Sequence, residues 1–153
     1  MPFFCYGAYE CNGSEIVMSD TATAKAFFDA CETGKGWSVC EAYCHADATF
    51  AAQCDALAET TTLEDYCNWM QGITTTMPDA SYDLKFFAAD ESGNFGAIAI
   101  FKGTHTGEGG PVPPTGKSIA SDYAYHIVFD GDKVKHMTKV WNDGFALRQA
   151  GWA

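Results

Sequence analysis

Gly103-Thr104-His105-Thr106-Gly107, followed by Gly109-Gly110-Pro111-Val112-Pro113-Pro114-Thr115-Gly116-Lys117, is the stretch on which the reading of this chain turns. A strand-like run from Phe95 to Phe101 leads into it, and a second, from Ser118 to Phe129, leads out. So much Gly and Pro between two strands describes a long, shaped connection rather than a two-residue hairpin turn. It sets the imidazole of His105 where a strand gives way to a loop, a frequent position for working residues.

Upstream of this stretch the apolar spacing is helical. Residues 1–18 mix aromatics, Gly and Asn without a period and read as an arm. Ser19 and Asp20 are N-cap types; Ala26, Phe27, Ala30 and Cys31 then recur at helical spacing until Gly34. Trp37 to Cys44 suggests a second short helix, and Thr49-Phe50-Ala51 a short strand. Thr62-Leu63-Glu64-Asp65 reads as a variant capping box opening a third helix, which Pro78 stops. From Tyr82 the period becomes strand-like, with segments Tyr82–Ala89, Phe95–His105, Ser118–Phe129 and Lys133–Asp143. Helices first and strands after, with no repeat and no linker, predict one α+β domain over residues 1–153, its helices covering one face of a curved antiparallel sheet.

The chain has 153 residues, 47% apolar and 19% charged, enough to enclose a core and a small pocket. Twenty Asp and Glu against nine Lys and Arg give a formal charge of −11, which repels nucleic acid and anionic membranes; neither is an expected partner. No apolar run reaches the ~20 residues of a membrane span, and the start lacks secretory or transit character, so a cytoplasmic location is expected. Seven cysteines (Cys5, Cys11, Cys31, Cys40, Cys44, Cys54, Cys67) cannot all pair internally. Cys40, Cys44 and His45 lie close in sequence, but there is no Cys-x-x-Cys and no second ligand pair. Buried reduced thiols and no metal are the expectation, with a Cys5–Cys11 disulfide the main exception. Gly110 to Ser118 misses the spacing of a phosphate-binding Walker loop by one residue, and no helix follows it.

Paired as a regular ladder with His105 opposite Ser118, the strands flanking the loop put Phe101 opposite Asp122 and Ala97 opposite His126. One face then carries Ala97, Ala99, Phe101, Gly103, His105, Ala120, Asp122, Ala124 and His126. The other carries Ile98, Ile100, Ile119, Tyr123, Tyr125, Ile127 and Phe129. A bulge near the loop would exchange these faces. On this register His105 and Asp122 share a face and are the candidate acid/base pair, since an imidazole titrates near ~6.5 and a carboxyl in an apolar pocket has a raised pKa. The competing reading is a histidine that only braces its loop. Trp37, Phe50, Trp69, Phe101, Tyr125 and Trp141, with His126 and Asp143 in reserve, are candidates to line a pocket for a flat polycyclic or other apolar molecule.

The His-Thr-Gly segment, the Gly-rich bend and Pro-Pro-Thr-Gly-Lys together resemble the signature of SnoaL-like polyketide cyclases, within the nuclear transport factor 2-like superfamily. Gly36-Trp37, Tyr43 to Phe50, Asp130-Gly131-Asp132-Lys133-Val134, Trp141-Asn142-Asp143 and Gln149-Ala150-Gly151-Trp152 extend the resemblance to the C-terminus. It implies a cone-shaped, barrel-like fold enclosing a pocket, and a histidine (here His105) that lines the pocket and works with an aspartate on the neighbouring strand. Asp143 matches the family's aspartate near the end of its last strand, with capping of the C-terminal turn as the equal alternative. The implied activity is acid/base catalysis without cofactor on an enolisable carbonyl: aldol-type cyclisation, isomerisation or dehydration. The alternative is a non-catalytic domain binding an apolar metabolite in the same pocket. A homodimer is expected, with the Pro-rich loop at the pocket rim or at a dimer contact.

Overall fold

A threonine fixes the start of the longest well-capped helix. Thr62 Oγ1 accepts the Asp65 backbone N–H at 3.1 Å and donates to Asp65 Oδ2 at 2.7 Å, as Thr-x-x-Asp predicts. The computed structural model describes residues 13–153, with side chains from residue 21 onward. In chain order its elements are α1 (Gly13–Glu32), α2 (Trp37–Cys40) with a 3-10 turn (Glu41–Tyr43), β1 (Cys44–Ala52), a second 3-10 turn (Asp55–Leu57) and α3 (Leu63–Thr76). There follow β2 (Ser81–Ala89), β3 (Asn94–Thr104), β4 (Ser118–Asp130), β5 (Lys133–Trp141) and α4 (Asp143–Ala150). Cys5 and Cys11 lie outside the described residues; the five other cysteines are free.

Helix α1 begins at Gly13, inside the segment read as an arm, so Ser19 and Asp20 are interior to it. Its buried stripe is Ala24, Phe27, Phe28 and Cys31, with Glu32 directly below Phe28. Phe27 and Phe28 are fully buried, each worth about 2–3 kcal/mol of apolar transfer. Leu63, Tyr66, Cys67 and Met70 of α3 supply the facing surface.

The sheet runs β1-β5-β4-β3-β2. Three of its pairs are antiparallel, but β1 lies parallel to β5, which corrects the expectation of a wholly antiparallel sheet. Strand β1 comes back beside β5 from the helical side of the chain, a crossover that reading strands in sequence order does not show. Irregular pairings between Cys44 and Thr49, Leu84 and Phe86, and Val128 and Phe129 bend the strands. The edges β1 and β2 do not pair with one another, so the sheet curls around its core without closing.

The register of β3 on β4 is one residue away from the regular ladder drawn from sequence. Thr104, not His105, stands opposite Ser118; Ile100 faces Asp122, and Gly96 faces His126. The cause is a bulge where the loop rejoins the sheet. His105 N–H donates to Lys117 O and His105 O accepts from Gly116 N–H, each at 2.9 Å, so two residues oppose one. Gly116 has φ 68°, the left-handed conformation that this type of bulge assigns to glycine. Because strand side chains alternate, a slip of one residue moves a whole strand's set to the other face. Phe95, Ala97, Ala99, Phe101, Gly103 and His105 therefore share the inner face with Ile119, Ser121, Tyr123, Tyr125 and Ile127.

Candidate functional site

The expected pair of His105 and Asp122 does not form. His105 is fully buried on the inner side, whereas Asp122 is exposed on the outer face beside Ile98, Ala124 and Val140. His126 is on that outer face too, exposed, with Nε2 3.3 Å from Asn94 Oδ1. The sheet itself separates the imidazole of His105 from both.

His105 instead holds the loop to the C-terminal tail. Its Nδ1 accepts Trp152 Nε1–H at 2.9 Å and the Thr115 backbone N–H at 3.3 Å, which leaves the proton on Nε2. The Trp152 ring stands edge-on to the imidazole, 5.0 Å between centroids. A Cβ at Gly110 would lie 2.9 Å from Nε2, so the loop's glycine is what lets the backbone close over the ring. Thr115 Oγ1 completes the tie by donating to Ala150 O at 2.7 Å. Trp152 then presents its other side to a pocket that His105 does not reach.

That pocket lies between the inner sheet face, α3 and α4. Trp69, Met77, Phe101, Ile119, Trp141 and Trp152 make its wall mostly apolar, while Glu32, Ser121, Tyr123 and Lys139 are the polar groups on it. Its free volume is about 30 Å³, about the share of one water molecule. Two elements bring the charged pair together. Glu32 is the last residue of α1, carried inward by the same stripe as Phe28 and only 1% exposed. Lys139 alternates with Met137 and Trp141 on the inner side of β5 and is 6% exposed.

Tyrosines join the two charges. Tyr125 O–H donates to Glu32 Oε1 at 2.5 Å, and Lys139 Nζ donates to the Tyr66 hydroxyl at 2.9 Å. Tyr66 and Tyr125 hydroxyls share a short hydrogen bond. Since Tyr125 spends its only proton on Glu32, Tyr66 is the donor in that bond. Every donor in the chain thus points from Lys139 towards Glu32. Lys139 Nζ is also surrounded by the rings of Trp141, Tyr66, Tyr123, Trp69 and Tyr125 at 4.5–5.7 Å. Ala97 and Ala99 stand opposite Tyr125 and Tyr123 in the ladder, so these small residues make room for the tyrosines rather than for a ligand.

Burial drives both charged groups towards neutrality. Desolvation raises the Glu32 carboxyl above its ordinary range, against the opposing pull of Lys139 and of the Tyr123 and Tyr125 hydroxyls. Desolvation lowers the Lys139 ammonium, opposed by Glu32. Desolvation likewise lifts Tyr66, Tyr123 and Tyr125, which remain hydroxyl donors. Tyr123 influences Glu32 but its hydroxyl is outside hydrogen-bond geometry with it: the oxygen is buried and has no partner among the described residues. This leaves one uncommitted hydroxyl on the pocket wall.

Of the other residues singled out from sequence, Trp69, Phe101 and Trp141 line this pocket. Tyr125 is one shell behind, in the hydrogen-bonded chain. Phe50 is core, stacked on Tyr66 at 4.2 Å, and Trp37 is half-buried at the start of α2, its N–H bonded to Asn68 Oδ1. Asp143 is structural: its carboxylate accepts from Ala56 N–H at 2.8 Å and Gly144 N–H at 2.9 Å. Sequence reasoning missed Glu32, Tyr66, Tyr123, Lys139 and Trp152. The parity of Met137 and Trp141 pointed to Lys139, and the helical step from Phe28 pointed to Glu32. Among the described residues no three His, Cys, Asp or Glu side chains converge as a metal site would require, and no helix is long and apolar enough to cross a membrane.

Helices laid on a curled five-stranded sheet around a small inner pocket define the class of this fold as α+β. The SnoaL-like polyketide cyclase family model matches residues 22–150, and the chain belongs to that family. It superposes on AclR, a candidate hydroxylase from Streptomyces galilaeus, with TM-score 0.72 and 20% identity over 89% of this chain and 83% of that one. A candidate SnoaL-like polyketide cyclase from Jannaschia sp. CCS1 gives TM-score 0.72 and 16% identity over 96% and 99% of the two chains. IdmH, a candidate polyketide cyclase from Streptomyces antibioticus, gives 0.66 and 18% over 86% and 98%. No curated protein matches the chain. At these identities the structural neighbours establish the fold alone, and not a reaction.

Proposed function

We propose that this chain is an acid/base enzyme for an apolar small molecule, polycyclic in the favoured case, that carries an enolisable carbonyl. Side chains alone carry the proton transfers of an aldol-type cyclisation, isomerisation or dehydration. The observation behind this reading is the Tyr123 hydroxyl, buried and unpartnered on an apolar pocket wall that also holds the Glu32 carboxyl. A carbonyl oxygen seated on Tyr123 would take its hydrogen bond, which strengthens as enolate charge develops. A carboxyl with a raised pKa is suited to remove the α-proton and return it near neutral pH.

With about 30 Å³ free, such a molecule enters only by displacing part of the wall, of which α4 and Trp152 form the C-terminal side. Four hydrogen bonds hold that end: Ala56 N–H to Asp143, Ala120 N–H to Gln149, Thr115 to Ala150 O, and Trp152 to His105. The outer face favours the homodimer. Phe86, Ile98 and Val140 are exposed there, Val140 at 68%.

The test is deuterium exchange at the α-carbon of β-tetralone in deuterated water, followed by NMR. The wild-type protein should accelerate it, and Tyr123→Phe should remove about 100-fold of that acceleration, the loss expected for one donor to a developing oxyanion. Tryptophan quenching by the ketone with no exchange would instead support the non-catalytic binding domain, which the aromatic walls also suit.

A further inference from the structure

The acid/base reading uses Glu32 and Tyr123 and leaves the most unusual group in the pocket unexplained. A lysine on the inner face of a sheet, 6% exposed, has three N–H groups to satisfy if protonated. Among the described residues Lys139 has one hydrogen-bond acceptor, Tyr66, and five aromatic rings stand around its Nζ. Among the described residues no carboxylate forms an ion pair with it. Yet its hydrogen-bonded path through Tyr66 and Tyr125 ends on one, with every donor oriented the same way. Moving one proton along each bond leaves a neutral amine on Lys139 and a neutral acid on Glu32, with both tyrosines unchanged. Burial favours that neutral pair for each partner.

We propose that Lys139 is a covalent nucleophile: its amine, freed of one proton through Tyr66 and Tyr125 to Glu32, condenses with the carbonyl carbon of a ketone or aldehyde held in this pocket to form an iminium. The inference rests on the reading that the pocket accepts a carbonyl compound. The step balances. The Nζ lone pair forms the C–N bond and the carbonyl π electrons go to oxygen. The amine gives up a second proton to that oxygen, the proton stored on Glu32 returns to it, and the C–O bond breaks to release water. The iminium keeps the single positive charge that Lys139 brought. It acidifies the α-carbon more strongly than a neutral carbonyl does, so loss of the α-proton gives an enamine ready for carbon–carbon bond formation. The rings around Nζ stabilise the iminium cation as they would an ammonium, and Tyr123 remains free to hold the departing oxygen.

The experiment uses acetylacetone, a β-diketone small enough for a tight pocket, whose condensation with an amine gives a stable vinylogous amide absorbing in the near ultraviolet. Wild-type protein at neutral pH should develop this band with a stoichiometry of one per chain. Peptide mass analysis should place the added mass, probe less water, on Lys139. A second arm with cyclohexanone and sodium borohydride should give a permanent adduct of probe less one oxygen on the same residue. Lys139→Arg keeps the charge and cannot form the adduct; it should show neither. Glu32→Gln should slow band formation by about 100-fold, the usual size of a lost general acid/base. Quenching of tryptophan fluorescence by acetylacetone, measured alongside, reports entry to the pocket. Quenching without an adduct on Lys139 overturns the nucleophile and leaves the acid/base reading standing. Neither quenching nor adduct removes both. Adducts only on exposed lysines, equal in wild type and Lys139→Arg, also overturn it.

Discussion

Cutting one end of the chain that links Glu32 to Lys139 should strand the other end in the core. The two groups are 1% and 6% exposed, and only tyrosine hydroxyls separate them. In Lys139→Met the carboxyl keeps its bond from Tyr125 but loses the cation that moderates its pKa. In Glu32→Gln the amine loses the carboxyl that most opposes its desolvation. Removing one partner of a buried pair costs about 3–5 kcal/mol. Both groups already lean towards their neutral forms, so the low end, about 3 kcal/mol each, is the expectation. The double variant Glu32→Gln/Lys139→Met buries no charge and should fall short of the sum by about 2–3 kcal/mol, within the range of directly coupled residues. Urea unfolding followed by near-ultraviolet circular dichroism reads this as shifts in midpoint at constant m. The pH slopes, taken relative to the double variant, have opposite signs. Lys139→Met retains a carboxyl raised above its ordinary 4.5, so its stability is full below that pH and is lost as pH rises through the folded value. Glu32→Gln retains an amine lowered below 10.5, so its stability is full above that pH and is lost as pH falls through the folded value. Single effects that add within about 0.5 kcal/mol, or slopes of one sign, would refute the coupled network.

Two further outcomes follow from the same geometry. His105→Ala leaves the Trp152 indole N–H and a buried site unfilled, and should cost about 2–3 kcal/mol in urea unfolding; in any substrate assay KM should rise through the loosened Trp152 while kcat is retained, and an abolished kcat would restore His105 to the chemistry. Val140→Asp, on the outer face, should convert a dimer seen by light scattering into a monomer with an unchanged melting curve at low concentration; a wild-type chain already monomeric at tens of micromolar would remove the outer face as an interface.

Periodicity carried most of the architecture, and it failed at the points where one residue mattered. Thr62 and Asp65 cap α3 as their spacing demands, and Pro78 follows directly after its end. Helix α4 was not anticipated, although Asn142 caps it through the Phe145 N–H and Gly151 closes it; eight residues with little apolar period look like a tail. The inner face of β3 was legible from alternation alone. That of β4 was not, because Gly116 and Lys117 both oppose His105, and such a bulge depends on φ at one glycine. The slip moved Asp122 and His126 outward and brought Tyr123 and Tyr125 in. Composition also misled: a lysine and a glutamate look like solvated residues until Met137, Trp141 and Phe28 fix their directions. The hydrogen-bonded chain that joins them depends on two tyrosines from two elements, Tyr66 of α3 and Tyr125 of β4, a juxtaposition no local pattern encodes.

The central claim is that the working groups lie on the inner face around Glu32, not on the face that carries Asp122. It is tested most directly by comparing Glu32→Gln with Asp122→Asn in the β-tetralone α-exchange assay, each variant first shown to be folded by circular dichroism. The account predicts that Asp122→Asn exchanges at the wild-type rate, while Glu32→Gln loses about 100-fold. A Glu32→Gln protein that exchanges as fast as wild type, or an Asp122→Asn protein that has lost exchange, would contradict it.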